Sequence, residues 1–142
     1  DVFPEAFVKI IKGDHSLLGR NLMDDIPDPP KDCVAIIDGY GNIKTTLTEQ
    51  NVGHLKGQKA TVTMIDPENS NSQHHEIIDV TDGMFAVRDG RLCMFPGSSG
   101  WTDKQGVSHI FYEVAVRGGN AAQKFGYPER HIIKVSPHQA KP

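Results

Sequence analysis

Residues 38–42, Asp38-Gly39-Tyr40-Gly41-Asn42, set a carboxylate, an aromatic ring and a carboxamide beside two glycines. Such a set could recognise a flat, polar-edged ring such as adenine, because the aromatic face stacks while the amide both donates and accepts. The glycines would supply positive φ or close backbone approach. A plain hairpin turn, with an exposed Tyr40 and an Asn42 tolerant of left-handed backbone, accounts for the same residues, and on spacing alone it is the stronger reading. Two other stretches pose the same choice. Pro96-Gly97-Ser98-Ser99-Gly100-Trp101 reads as a Gly-rich loop whose hydroxyl and backbone donors could hold a carboxylate. It lacks the strand-to-helix order of a nucleophile elbow. Arg117-Gly118-Gly119-Asn120-Ala121-Ala122 leaves a β run and opens a helix, so its N–H groups would suit an acceptor-rich ligand. By pattern alone it is a β-to-α turn capped by Asn120. His74-His75 would point to opposite faces of a strand with no third ligand at metal spacing, so no metal site is expected. No nucleophile–base or acid–base pair stands out. These residues describe a binding module.

The elements that must position them are mostly short strands. Val34 to Ile37 and Ile43 to Leu47 flank the first turn as a hairpin. Further strands are expected at residues 60–65, 76–80, 84–87, 92–95, 110–116 and 132–135, with residues 84–87 and 92–95 paired through an Asp89-Gly90 hairpin. Residues 49–56 suggest one helical turn, and residues 121–125 a short helix ended by Gly126. At the start, Phe3, Phe7, Ile10 and Ile11 fall on one helical stripe between Pro4 and Gly13. A helix so short needs something to pack against. The acidic, proline-rich run at residues 24–30 reads as a linker. Spacing of this kind suggests a compact β-barrel or sandwich.

Length and composition narrow the classes. The 142 residues amount to one domain, or one domain with a piece of another. With 37% hydrophobic and 23% charged residues, the chain can bury a core. A net charge of −3 without a Lys/Arg cluster argues against a nucleic-acid partner. No apolar run approaches membrane-spanning length and no signal peptide is visible, so a cytoplasmic location is expected. Cys33 and Cys93 read as two buried thiols in a reducing compartment. The chain opens on Asp1 rather than Met, which leaves room for a preceding segment.

Taken together, four segments resemble a known family. Ile37-Asp38-Gly39-Tyr40-Gly41-Asn42-Ile43-Lys44-Thr45-Thr46 is similar to the Asp-x-aromatic-Gly-Asn-x-x-Thr signature of the S-adenosyl-L-methionine (SAM) hydrolase and fluorinase/chlorinase family. Gly97-Ser98-Ser99-Gly100 resembles its late Ser-Gly loop, and the run from Tyr112 to Ala122 resembles its Glu-Val-Ala-Val and Asn-Ala-Ala block. Asp1-Val2-Phe3-Pro4 is similar to the run that closes its N-terminal domain. The resemblance implies a mainly β fold, a β-barrel at residues 32–136 that binds adenosine, preceded at residues 1–31 by the remnant of an α/β domain and its linker, with a polar tail at residues 137–142. It implies water attack at the ribose C5′ of SAM, giving adenosine and methionine, with SAM as substrate and no cofactor. The water-positioning residues would belong to the N-terminal domain of a neighbouring subunit in a homotrimer, so this stretch alone would be inactive. By position, Asn42 reads the adenine edge, Tyr40 packs on the ligand and Asp38 bonds ribose or methionine. Ser98 or Ser99 holds the methionine, and backbone groups near Arg117, Asn120 and Ala121 meet adenine. Lys44 and Thr46 depart from the pattern, and Lys44 argues against halide chemistry. The alternative is a free-standing, non-catalytic barrel that binds a ligand or assembles.

Overall fold

The computed structural model describes residues 2–20, 22 and 25–139; Asp1, Asp24 and residues 140–142, which fall in the opening motif, the linker and the tail named above, lie outside them. Seven strands form one sheet: β1 (Val34–Ile37), β2 (Ile43–Thr45), β3 (Lys59–Ile65), β4 (Gln73–Val80), β5 (Leu92–Thr102), β6 (Ser108–Val116) and β7 (Ile132–Pro137), in the order β1-β2-β6-β5-β4-β3-β7. Period-two alternation explains the inner face. On β3, Ala60, Val62 and Met64 are buried while Thr61 and Thr63 between them are partly exposed. Tyr112, Val114 and Val116 of β6 join the same core, with Ile43, Ile78, Met94 and Ile133. The sheet curls until its first and last strands meet. Cys33 and Ile132 form an antiparallel bridge, Val34 N–H donates to His131 C=O at 2.9 Å, and Ile133 N–H donates to Asp32 C=O at 2.8 Å. The fold is mainly β, a half-barrel with few helices.

Among the described residues three α-helices accompany it. α1 (Val2–Ile11) leaves Phe3, Phe7 and Ile11 exposed. α2 (Glu49–Val52) runs into a 3-10 turn at Gly53–Leu55 and buries Val52 and Leu55. α3 (Ala121–Lys124) sends Ala121 and Ala122 into the core, followed by Phe125. At the edge of the core, the Tyr112 hydroxyl donates to the Glu49 carboxylate; burial, then that carboxylate, pushes the phenol above its ordinary range.

Several expectations need correction. Met84–Ala86 is a 3-10 turn, not a strand, so there is no Asp89-Gly90 hairpin. β5 runs parallel to β4, with Asp79 opposite Cys93, so the chain between them must cross back rather than fold over tightly. Residues 96–101 belong to β5 instead of forming a loop. β4 begins three residues early and includes His74 and His75, and β2 ends two residues early. β7 continues to Pro137, and His138 N–H donates to Lys59 C=O at 3.0 Å, so the polar tail starts later than residue 137. Cys93 is buried, and burial with the nearby Asp79 charge pushes its thiol up to about 11; Cys33 is only half-buried. No helix among the described residues is long and apolar enough to cross a membrane.

Candidate functional site

The turn between β1 and β2 is built by its own first residue. Asp38 N–H donates to Asn42 C=O at 3.0 Å and Gly41 N–H donates to Asp38 C=O at 2.9 Å, closing a five-residue loop, 38–42, in which Gly41 sits at φ 83°. One carboxylate oxygen of Asp38 accepts the N–H groups of Tyr40 and Asn42 at 2.9 and 3.0 Å. The other accepts the Asn42 side-chain amide at 3.0 Å. Burial acts upward on this carboxyl, but the Asn42 amide, the two backbone N–H groups and the Lys44 charge together hold it below the usual carboxylate range. A carboxylate offers about four acceptor sites, so Asp38 has roughly one left for anything outside the turn. Its work is to orient the Asn42 side chain. Tyr40 stands out from the turn, 83% exposed.

The structure seats this turn on the start of α3. Gly41 C=O accepts Ala122 N–H at 2.9 Å, and a Cβ on Gly41 would lie 2.2 Å from Asn120 Cγ. Glycine is required there twice, for its positive φ and for the close approach. Asn120 caps α3 as expected, its side-chain oxygen accepting Gln123 N–H at 2.8 Å. Asp38, Tyr40, Asn42, Asn120 and Ala121 therefore share one end of the sheet.

The serines reach the same region through a residue that the sequence reading passed over. Between Pro96, opposite Tyr112, and Gly100, opposite Ile110, β5 carries three residues against the single Phe111 of β6. Residues 97–99 consequently bulge. Glu113, 7% exposed, reaches into the bulge, where one of its oxygens accepts Ser98 N–H at 3.0 Å. A Cβ on Gly97 would lie 2.2 Å from that oxygen. The other oxygen pairs with Lys44 Nζ at 3.1 Å, and Lys44 lies directly opposite Glu113 across β2 and β6. Glu113 thus ties the bulge to the strand that leaves the Asp38 turn. Ser98 is exposed, whereas the Ser99 hydroxyl is shielded from solvent and has no hydrogen-bond partner. The available signal was an acid set in an otherwise apolar β run, with a lysine on the neighbouring strand.

Arg117 turns elsewhere. Its guanidinium donates to Val87 C=O at 2.7 Å and Phe85 C=O at 3.3 Å, pairs with Asp89 at 2.7 Å and lies over the Phe85 ring. Trp101 is also committed, its indole N–H donating to Asp28 in the linker at 2.8 Å. His75 bonds Thr63 at 2.9 Å on the face of β3 and β4. Cavities of about 380 and 390 Å³ lie around His109, near the tip of the β5–β6 hairpin, and neither is lined by residues 38–42, 97–99 or 117–122.

Fold and site together define a curled-sheet domain with two turns packed together at one end and a bulge tied to the strand that leaves the first of them. A crystal structure of an uncharacterized conserved protein from Thermotoga maritima has a similar fold, with a TM-score of 0.55 and 23% sequence identity. The match covers 74% of this chain and 35% of that one, so this chain spans about a third of its length. No protein-family model and no curated protein matches the chain.

Proposed function

We propose that this chain is the adenosine-binding domain of a SAM hydrolase-like enzyme, with the residues that position the attacking water lying outside it. One observation carries the proposal: three of the four segments of the family resemblance, separated by up to about eighty residues in sequence, lie on the neighbouring strands β2, β6 and β5 and the turns that border them. The turn docks on Asn120 and Ala122, and Glu113 joins the serine bulge to Lys44. In this reading Asn42 presents its amide to the adenine edge and Tyr40 covers the ring. Asp38 acts as a positioning residue, and the bulge meets the methionine end. An exposed aromatic at Tyr40 suits a half-site completed by another domain, which would exclude bulk water from the displacement. The sulfonium is already a good leaving group, so placing the nucleophile supplies most of the catalysis.

Calorimetric titration with adenosine and SAM tests the binding role. Asn42→Ala should weaken adenosine binding by about 1–3 kcal/mol, the cost of an unpaired polar edge. Absence of binding at millimolar ligand, or indifference to the substitution, would count against the domain's assignment.

A further inference from the structure

The turn that leads into β5 is basic and anchored on two sides. Across Arg88-Asp89-Gly90-Arg91, Arg91 N–H donates to Arg88 C=O at 3.2 Å. A four-residue turn of this kind holds the Cα atoms of its end residues within about 7 Å of each other. Gly90 N–H donates to Arg117 C=O at 2.7 Å and Arg117 N–H donates to Arg91 C=O at 3.1 Å, which pins the turn to the end of β6. The Arg117 side chain also takes the turn's own carboxylate, Asp89, at 2.7 Å. Nearby, Lys56 takes Asp82, and Arg91 meets Asp79 at 3.3 Å. Arg88 is left with no carboxylate among the described residues.

Arg88 and Arg91 line a cleft of about 490 Å³ between this turn, the residues just before β3 and the end of β4. Asp79 is the one carboxylate among its lining residues, and Val80, Ala86 and Val87 give it an apolar part. None of residues 38–42, 97–99 or 117–122 lines it. Two guanidiniums against one carboxylate leave a surplus positive charge, and the planar guanidinium fork matches the paired oxygens of a phosphate. The volume is that of a small-molecule site. We propose that this cleft is a second binding site, separate from the docked turn, for a small phosphate monoester. Arg88 and Arg91 hold the phosphate oxygens, the ester's body lies on Val80 and Val87, and Asp79 competes with the ligand for Arg91. The inference stands apart from the adenosine reading.

The test is an amide-resolved NMR titration of the full chain with benzyl phosphate, with benzyl alcohol as the uncharged control. Saturable shifts at Thr81, Val87 and Arg88 with the phosphate, and none with the alcohol, are expected. Arg88→Gln alters an exposed side chain outside every ion pair and should weaken binding about ten-fold, through loss of hydrogen bonds to a charged group. Asp79→Asn should instead tighten binding about five-fold, the effect of one unit charge about 4 Å away in water. Absence of saturable shifts at millimolar benzyl phosphate, or indifference to Arg88→Gln, would overturn the proposal. So would an Asp79→Asn variant that binds no more tightly than the unaltered chain. Adenosine shifts at Tyr40 and Asn42 in the same samples report on the proposed function separately, so either reading can fail alone.

Discussion

The chain builds the same five-residue hairpin loop twice, at residues 38–42 and 103–107, and puts the two copies to different use. In each, an aspartate opens the loop and its C=O accepts the N–H of a glycine three residues on, at 2.9 Å in both. That glycine has φ 83° in the first loop and 81° in the second. In each, one carboxylate oxygen accepts the N–H groups two and four residues ahead: Tyr40 and Asn42 in one, Gln105 and Val107 in the other. The difference lies in what the loops touch. Gly41 is packed against Asn120 and its carbonyl holds Ala122, whereas a Cβ on Gly106 would meet only open space. The spare oxygen of Asp38 holds Asn42 in place, while that of Asp103 pairs with His109 at 2.9 Å. Loop geometry is therefore a common part. Docking on α3, and an amide where the second loop has Val107, are what make the first copy a candidate site.

Substitution of the two glycines gives the largest contrast. Gly106→Ala should cost about 1–2 kcal/mol, the penalty of left-handed backbone. Gly41→Ala should cost that amount and about 1–3 kcal/mol more through overpacking against Asn120. Equal losses in urea denaturation would mean that the first loop is not docked. Next come the residues that end the loops. Asn42→Ala should weaken adenosine by about 1–3 kcal/mol, and Val107→Ala, its counterpart, should leave adenosine affinity unchanged. Asn120→Ala should cost about 1 kcal/mol in stability through loss of the α3 cap. It should also loosen the first loop alone, seen as faster amide exchange at Gly41 with none at Gly106.

The smallest effects concern pH. Both carboxyls are held below the ordinary value of 3.8, Asp38 by its loop amides and Lys44 working against burial, Asp103 chiefly by His109 and then by Val107 N–H. A depressed folded-state pKa contributes stability above the ordinary value and loses it as pH falls through the lowered one. Both loops should therefore keep this contribution down to pH 3.8 and lose it only as pH falls further, through the lowered values. His109→Ala should raise the Asp103 pKa and leave that of Asp38 in place, as followed by carboxyl chemical shifts. Parallel movement of the two would contradict their separate support.

Local chemistry was the legible part of this chain. The first turn, the Asn120 cap and most strands follow from residue spacing, because the interactions that form them span a few residues. The likeness of the Asp103 loop to the first turn depends on hydrogen bonds that spacing does not display. What could not be read depends on long-range register. Residues 84–86 have strand-like composition, yet the parallel pairing of β4 with β5 forces a crossing there. The Gly-Ser-Ser segment looks like a loop, yet β6 pairs on both sides of it and turns it into a bulge. Glu113 was hidden for the same reason, since its meaning comes from Lys44 and Ser98, distant in sequence and adjacent in the sheet.

The most direct measurement is an amide-resolved NMR titration of the 142-residue chain with adenosine. Shifts at Tyr40, Asn42 and Ala121, with residues 103–107 unmoved, are the predicted result. Shifts confined to the second loop or to other surfaces, or none at millimolar adenosine, would contradict the assignment of the docked turn as the ligand site.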